Sequence, residues 1–313
     1  MGRRHSALDL QKRGITDLVS ALYEVSNVAP HTQYGVYEYY IIRGMASDQV
    51  LYDGIPVEGN RVNTQLAPVA EVQVLKGPVS LLFGNNALGG AINLILKKPT
   101  STLHHDFAVS GGNWDTRRAE GGVGGPLLAD RIFYLVDGGY DASTTFRNAG
   151  FRRMNLTPTI DWNPDGKDHF SYFVMMNHDQ FHGDAGIPMV NGTVPSIAMS
   201  TRYNPPHDFE HSDQFNMQGS YLRTLSPENS FRNVISYQHL NDEYREAESI
   251  SYLPATEMVS REYLYFFHHR RPLLDEANLM GKIHLGLTHH YIFGHLYEHY
   301  TNTTNRTTLS QAG

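Results

Sequence analysis

The sequence predicts a small α+β module over residues 1–100, followed by an antiparallel membrane β-barrel segment of nine or ten strands over residues 101–313. Three observations carry that prediction. The chain is poor in charge and rich in tyrosine and glycine. Its texture changes at Lys97-Lys98-Pro99-Thr100-Ser101, a charged boundary marked by proline. Beyond it the side chains alternate with period two almost everywhere, and short connections alternate with long ones.

Charged residues are 18% of the 313, below the roughly 25% usual in soluble domains, and aromatics reach 11% with 19 Tyr. The 28 Gly and 15 Pro suit a β-rich chain with many turns. Lys+Arg number 25 against 32 Asp+Glu, a net charge of -7, which argues against a nucleic-acid partner because phosphates demand a basic stripe. Mean hydropathy is -0.40, and no apolar stretch approaches the roughly 18 residues of a membrane helix. A helical membrane protein is excluded; a membrane barrel is not, because its alternating strands average out as polar. The absence of cysteine removes disulfide frameworks, thiolate metal sites and cysteine nucleophiles.

Met1-Gly2-Arg3-Arg4 is basic, but no apolar core or small-residue cleavage site follows, so no secretory signal is read here. Residues 9–25 place Leu18, Leu22 and Val25 on one face of a short amphipathic helix capped by Thr16 or Asp17. From Tyr37 to Leu96, short β-rich runs alternate with Gly, Pro and Asn. Within this stretch, KGPVSLLFGNNALGG reads as a strand end, a helical turn opening at Pro78, an exit at Gly84 and a glycine-rich release.

In the second part, Ile132, Tyr134, Val136 and Tyr140 share a face opposite Arg131, Asp137 and Asp141. Met154, Leu156, Ile160 and Trp162 oppose Arg153, Asn155, Thr157, Thr159 and Asp161. Phe215, Met217 and Tyr221 oppose Gln214, Asn216, Gln218 and Ser220. Apolar-out, polar-in strands with aromatics at their ends fit a membrane barrel, but the alternation alone fits a soluble sheet with one wet face equally well. Connection lengths separate the two. Those at 126–129, 163–167 and 226–229 are turn-like, whereas those at 142–150, 181–211 and 242–257 are long and polar. A barrel keeps that asymmetry and a sandwich has no reason to. Pro158 and Pro272 weaken their strands, and Arg270-Arg271-Pro272 decides between nine strands and ten. The polar run Thr301 to Arg306 reads as ending without a terminal strand, and both termini look cut.

The segments YIIRGM, VLYDGIPVEG and EVQVLKGPVSLLFGNNALGGAINLILKKP resemble, in order, the plug domain of TonB-dependent outer-membrane receptors. The stretches GGNWDTRRAEGGVGGPL, FRNAGFRRMNLTPTIDW and DAGIP are similar to the first barrel strands of the siderophore-receptor branch. The resemblance covers about Asp9 to Asn302. It implies a transporter without covalent chemistry: a plug inside a 22-stranded barrel that binds a ferric siderophore and yields when TonB pulls its N-terminal segment. The implied partners are therefore the ferric siderophore, TonB and outer-membrane lipid, with no nucleic acid and no cofactor besides the cargo. The implied place is the outer membrane of a Gram-negative cell. A TonB-contact segment, a signal peptide and a first plug strand are not recognised before Asp9. The residues after position 100 are about as many as 22 strands of 9–11 residues need before any loop is added. A receptor truncated at both ends is the expectation.

The same resemblance implies the site residues. Ser47, Asp48 and Gln49, with Arg61 and Asn63 in the Glu58–Asn63 loop, correspond to ligand-facing plug apices; Val62 stands where relatives often carry an aromatic. Arg43 and Lys76 are expected to pair with barrel carboxylates and lock the plug, ordinary solvation being the other reading. Gly77, Pro78 and Gly84 form the tight strand–helix–exit unit, and Gly89-Gly90 lets the backbone pass close to neighbouring strands. Trp114 reads as a girdle residue, or as an aromatic wall for cargo.

The 17 His invite a metal reading. Adjacent pairs such as His268-His269 and His289-His290 point to opposite faces, and His295 and His299 lie about 13 Å apart on a strand, so none is assigned as a ligand. Phosphate-loop, G-x-S-x-G and H-E-x-x-H patterns are absent. The rival functions are a receptor remnant or β-rich binding module that does not transport, or uptake of cobalamin, haem, copper or saccharide.

Overall fold

The computed structural model describes residues 3–33, 37–47, 49–57, 64–77, 88–128, 130–205 and 207–312. The N-terminal module holds β1 (Arg3–Ser6), α1 (Ala7–Lys12), α2 (Leu18–Leu22), β2 (Val28–Gln33), β3 (Tyr37–Ile42), β4 (Met45–Ser47), β5 (Val50–Tyr52), β6 (Ile55–Val57), β7 (Val69–Lys76) and β8 (Gly90–Leu96). They form a five-stranded sheet, β1-β7-β8-β5-β6, and a three-stranded sheet, β2-β3-β4.

Two expectations about this module are corrected. A strand does precede Asp9: β1 pairs antiparallel with β7, Arg3 opposite Val74 and Ser6 opposite Glu71. The helix expected over 9–25 is two helices. Gly14 at φ 68 ends the first turn system, with Ile15 N–H returning to Leu10 O at 3.0 Å. Asp17 then caps α2, accepting from Ser20 N at 2.9 Å. Leu18, Ala21, Leu22 and Val25 nevertheless enter the core with Tyr40, Ile42, Val72, Val74, Ile92 and Leu94, as the helical face predicted.

Gly89 and Gly90 do permit a close passage. A Cβ on Gly89 would lie 2.5 Å from Ile42 O, and one on Gly90 (φ +149) 2.2 Å from Leu75 O. Pro78 and Gly84 lie outside the described residues.

The second part is one sheet of nine antiparallel strands in chain order: β9 (His104–Gly112), β10 (Thr116–Leu128), β11 (Ile132–Ser143), β12 (Phe151–Trp162), β13 (Asp168–Phe181), β14 (Phe209–Ser226), β15 (Asn229–Leu253), β16 (Met258–Leu285) and β17 (Leu287–Ala312). Pro272 does not split β16. It lies opposite Tyr300 of β17, while the β15–β16 ladder passes from Tyr237–Leu273 directly to Leu240–Arg270. Pro158 likewise falls in the gap between Leu156–Met176 and Thr159–Phe173. A residue without an N–H cannot complete such a ladder. The long loops expected at 242–257 and the unstructured run from Thr301 are also corrected: β15 continues to Leu253 and β17 through Thr301–Arg306. Among the described residues, β9 and β17 have no further strand beside them. Among the described residues, no helix is long and apolar enough to cross a membrane.

The alternation has the predicted sense. Arg153, Asn155, Thr157, Thr159 and Asp161 are buried, and Met154, Leu156, Ile160 and Trp162 are exposed on the opposite face. At the short-turn end, Trp162, Phe170 and Tyr221 stack at centroid distances of 5.0 and 4.7 Å, and Phe231 meets Tyr221 edge-on at 6.2 Å. This aromatic belt marks one limit of the outward apolar band. The other limit is a ladder row, Met154–His178–Asp213–Asn241–His269, where the outward face turns polar. From the belt to that row is roughly 26 Å along a strand, the scale of an outer-membrane apolar band of about 25 Å.

Candidate functional site

The inward face of the sheet receives the module. Phe173 and Met175 of β13 belong to the same core cluster as Leu18, Ile42 and Val72. Ile55 packs with Val234 and Leu274, and Tyr37 packs with Phe181, Tyr244 and Leu264. Where β11 has Gly139, Ala67 comes so near that an added Cβ would lie 3.1 Å from it. Polar bonds cross the same interface: Gln65 to Asp179 at 3.2 Å, Gln238 to Pro56 O at 3.1 Å, and Arg118 to Thr16 O at 3.4 Å. Wet lumen walls offer hydrogen bonds rather than continuous apolar contact, so the module is held by a few apolar patches and many single polar links.

The strongest ionic link joins Lys97, just after β8, to Asp137 of β11. Their N–O distance is 2.9 Å, and the carboxylate is almost wholly buried. This residue was not singled out as a lock. Of the two cations that were, Lys76 donates within the module to Ser26 O at 2.7 Å. Arg43, at φ 55, is exposed and has no ion pair among the described residues. The doubled lysine at the module boundary was the available signal, since the chain must leave the plug for the wall there.

The expected ligand-facing positions fare differently. Ser47 is buried and gives its hydroxyl to Gly90 O at 2.7 Å. Gln49 is buried too, its carbonyl accepting from Ile92 N at 3.0 Å. Both are internal plug residues, not apices. Asp48, Arg61, Val62 and Asn63 lie outside the described residues. Trp114 sits at the β9–β10 turn with φ 56, exposed and edge-on to Phe146 at 6.1 Å.

Toward the long-loop end the inward wall becomes a chamber of buried acids and aromatics. Asp179, Glu210, Asp242 and Glu246 are all buried, with no Lys or Arg at ion-pair distance among the described residues. Ser212 donates to Asp242 at 2.6 Å, whereas neither carboxylate oxygen of Glu210 or of Glu246 meets a hydrogen-bond donor among the described residues. Burial first, and then the Glu210 charge, push the Tyr37 hydroxyl well above its ordinary range. Around these acids stand paired cations: Arg153 with Asp141 at 2.6 Å and over the Phe151 ring at 4.6 Å, and Arg147 with Asp184 at 2.5 Å. Arg202 also pairs with Asp208 and holds Gly183 O at 2.8 Å. This chamber presents carboxylates, hydroxyls and ring faces to the space beside the plug. None of the four acids was named as a site residue from the sequence: Asp179 lies on an alternating strand, and Glu210, Asp242 and Glu246 lie in stretches that read as loops.

Among the described residues, one cluster has metal-ligand geometry: His178, His211 and Asp213, whose ligand atoms lie within 4.8 Å of one another. It stands on the outward face, away from the chamber. The histidine pairs considered from sequence do separate as expected, His268 bonding inward-facing Thr304 at 3.0 Å while His269 meets Asn241 on the other face.

Residues 5–91 match the family model of the TonB-dependent receptor plug domain. The metal-pseudopaline receptor CntO of Pseudomonas aeruginosa is 26% identical over 242 residues, covering 75% of this chain and 34% of that protein. The ferripyoverdine receptor of the same species is 39% identical over 95 residues, 28% of this chain and 12% of it. Among solved structures, the ferric preacinetobactin receptor BauA of Acinetobacter baumannii superposes with TM-score 0.90 at 15% identity, over 100% of this chain and 50% of that one. The chain thus spans about a third of the length of the first relative. Its N-terminal module is a TonB-dependent receptor plug, and its nine-stranded sheet has the fold of that family's barrel wall.

Proposed function

We propose, from a TonB-dependent receptor plug seated on its barrel wall, that the protein is an outer-membrane receptor for ferric siderophores whose plug yields to force from TonB. The observation that carries this reading is the two-faced sheet. One face buries the plug and a polar chamber, and the other presents an apolar band bounded by a stacked aromatic belt. Relatives named for pyoverdine and for a metal–pseudopaline chelate support a metal chelate as cargo. The plug runs to the Lys97–Ser101 boundary, and the wall begins beyond it. Open edges at β9 and β17 call for further strands before the wall closes, because unpaired backbone groups in lipid cost several kcal/mol each. Arg61 and Asn63 remain the proposed donors to the chelate.

The test uses cells that make no siderophore and express the full-length gene, with and without TonB. Radiolabelled iron is supplied as hydroxamate and catecholate chelates. Uptake of at least one chelate that requires both the gene and TonB is expected. Uptake indifferent to the gene, with native protein recovered in the soluble fraction, would sink the receptor reading in favour of a β-rich binding module.

A further inference from the structure

We infer that His178, His211 and Asp213 form a binding site for a first-row divalent transition metal, Zn2+ in kind, on the outer surface of the wall where its apolar band ends. The three residues come from two neighbouring strands. His178 of β13 lies directly opposite Asp213 of β14, and His211 precedes Asp213 by two positions, so period two puts all three on one face. His178 Nδ1 is 2.7 Å from Asp213 Oδ1, and His211 Nε2 is 3.1 Å from Oδ2. The imidazole rings stand edge to face, 4.7 Å between centroids.

Around a tetrahedral Zn2+ with bonds of 2.0–2.1 Å, neighbouring donor atoms sit about 3.3 Å apart. To admit the ion the 2.7 Å pair opens by about 0.6 Å, and donor atoms that now lie within 4.8 Å of one another close by no more than about 1.5 Å. Both strands are held by a continuous ladder on either side, so the donors pay little further ordering entropy to converge. Two imidazoles and one carboxylate are borderline donors that suit zinc, cobalt, nickel or copper rather than calcium or magnesium. Among the described residues, Asp213 has no Lys or Arg partner that an ion would need to displace. The Gln180 amide lies 3.5 Å from the other nitrogen of His178, which carries the proton when Nδ1 ligates, and a flip of the amide turns its oxygen to accept from that ring.

The surroundings fix what the open fourth position meets. A shallow groove on this face is lined by Met154, Leu156, Met176 and Phe215 on one side and by His178 and Asp213 on the other. Acyl-like surface therefore gives way to metal donors across a single ladder row. The fourth position opens outward, to water at the level of the headgroups. With the ion bound, β13 and β14 are tied together at the height where the wall leaves the apolar layer. This assignment does not depend on which cargo, if any, the plug carries.

The full chain, purified in detergent micelles and stripped with chelator, is titrated with Co2+. One equivalent should give the visible bands of a low-coordinate site and be displaced by Zn2+. H178Q, H211Q and D213N should each weaken that binding by about tenfold or more, while H289Q/H290Q binds like the parent. All three donors are partly exposed, so gel mobility before and after heating verifies that each variant is folded. Variants that bind Co2+ as the parent does would overturn the assignment. Zn K-edge absorption on the unaltered protein gives an answer that needs no variant: a shell with two imidazoles supports the site, and one without imidazole refutes it.

Discussion

Replacing Lys97 by Met removes the cation from a carboxylate that is 2% exposed. Breaking a buried pair from one side costs about 3–5 kcal/mol, since the remaining charge is stranded. The Lys97 side chain is 28% exposed, so water screens part of the interaction and the lower end applies, about 2–3 kcal/mol. Asp106, 4.0 Å away, shares the same ammonium. Asp137→Asn should cost less, because Lys97 then turns to Asp106 and to solvent, and K97M/D137N should recover about 1–3 kcal/mol relative to the sum of the single changes. Hydrogen exchange of β8 amides in the micelle-embedded chain reads this directly. At 1.4 kcal/mol per decade, K97M should speed exchange across Ala91–Leu96 by about 30- to 140-fold, with the double variant in between. If K97M exchanges like the parent, or the two changes simply add, the pair does not hold the plug to the wall.

Gly90→Ala forces a side chain into a φ of +149 and within 2.2 Å of Leu75 O, which should destabilise the plug by about 2–5 kcal/mol; Gly166→Ala, in open space at a turn, should leave β8 exchange unchanged. Leu156→Arg should lower folding stability in liposomes by about 2–4 kcal/mol in denaturant titrations, as for a charge in mid-bilayer, whereas a cost below about 0.5 kcal/mol would mean that this face meets water. Glu38, wholly buried in the plug, has its pKa raised from 4.5 by desolvation, against the opposing pull of hydrogen bonds from Tyr40 and Thr64. The folded chain therefore keeps a proton that the unfolded chain has already released. Its contribution is full below pH 4.5 and falls as pH rises through the folded value. Glu38→Gln should flatten that part of the stability profile, and an unchanged slope between pH 4 and 7 would contradict the assignment.

Within the apolar band, lipid and lumen select opposite side chains, so β12 could be read residue by residue from its alternation. Beyond the band both faces are wet. There Asp242, Glu243, Tyr244, Arg245 and Glu246 carry no apolar period, and a strand looked like a loop; Thr301–Arg306 disguised itself in the same way. β1 was hidden for another reason: Arg3–Ser6 is a strand only because β7 offers it an edge. Ser47 and Gln49 were placed at an apex by resemblance, but their burial follows from tight packing against Gly90 and Ile92, which spacing does not encode. The metal donors sit 33 positions apart on separate strands, and only His211-x-Asp213, two donors on one face, hinted at them.

The outer length of β15 and β16 has a consequence for encounter. Past the His239–His269 level they continue for about a dozen residues, which at 3.3 Å each and a tilt near 40° carries the wall some 25–30 Å beyond the acyl layer. A solute arriving from the medium meets this parapet before any lipid. Its first contacts are therefore with the side chains of β15 and β16 that stand beyond the lipid.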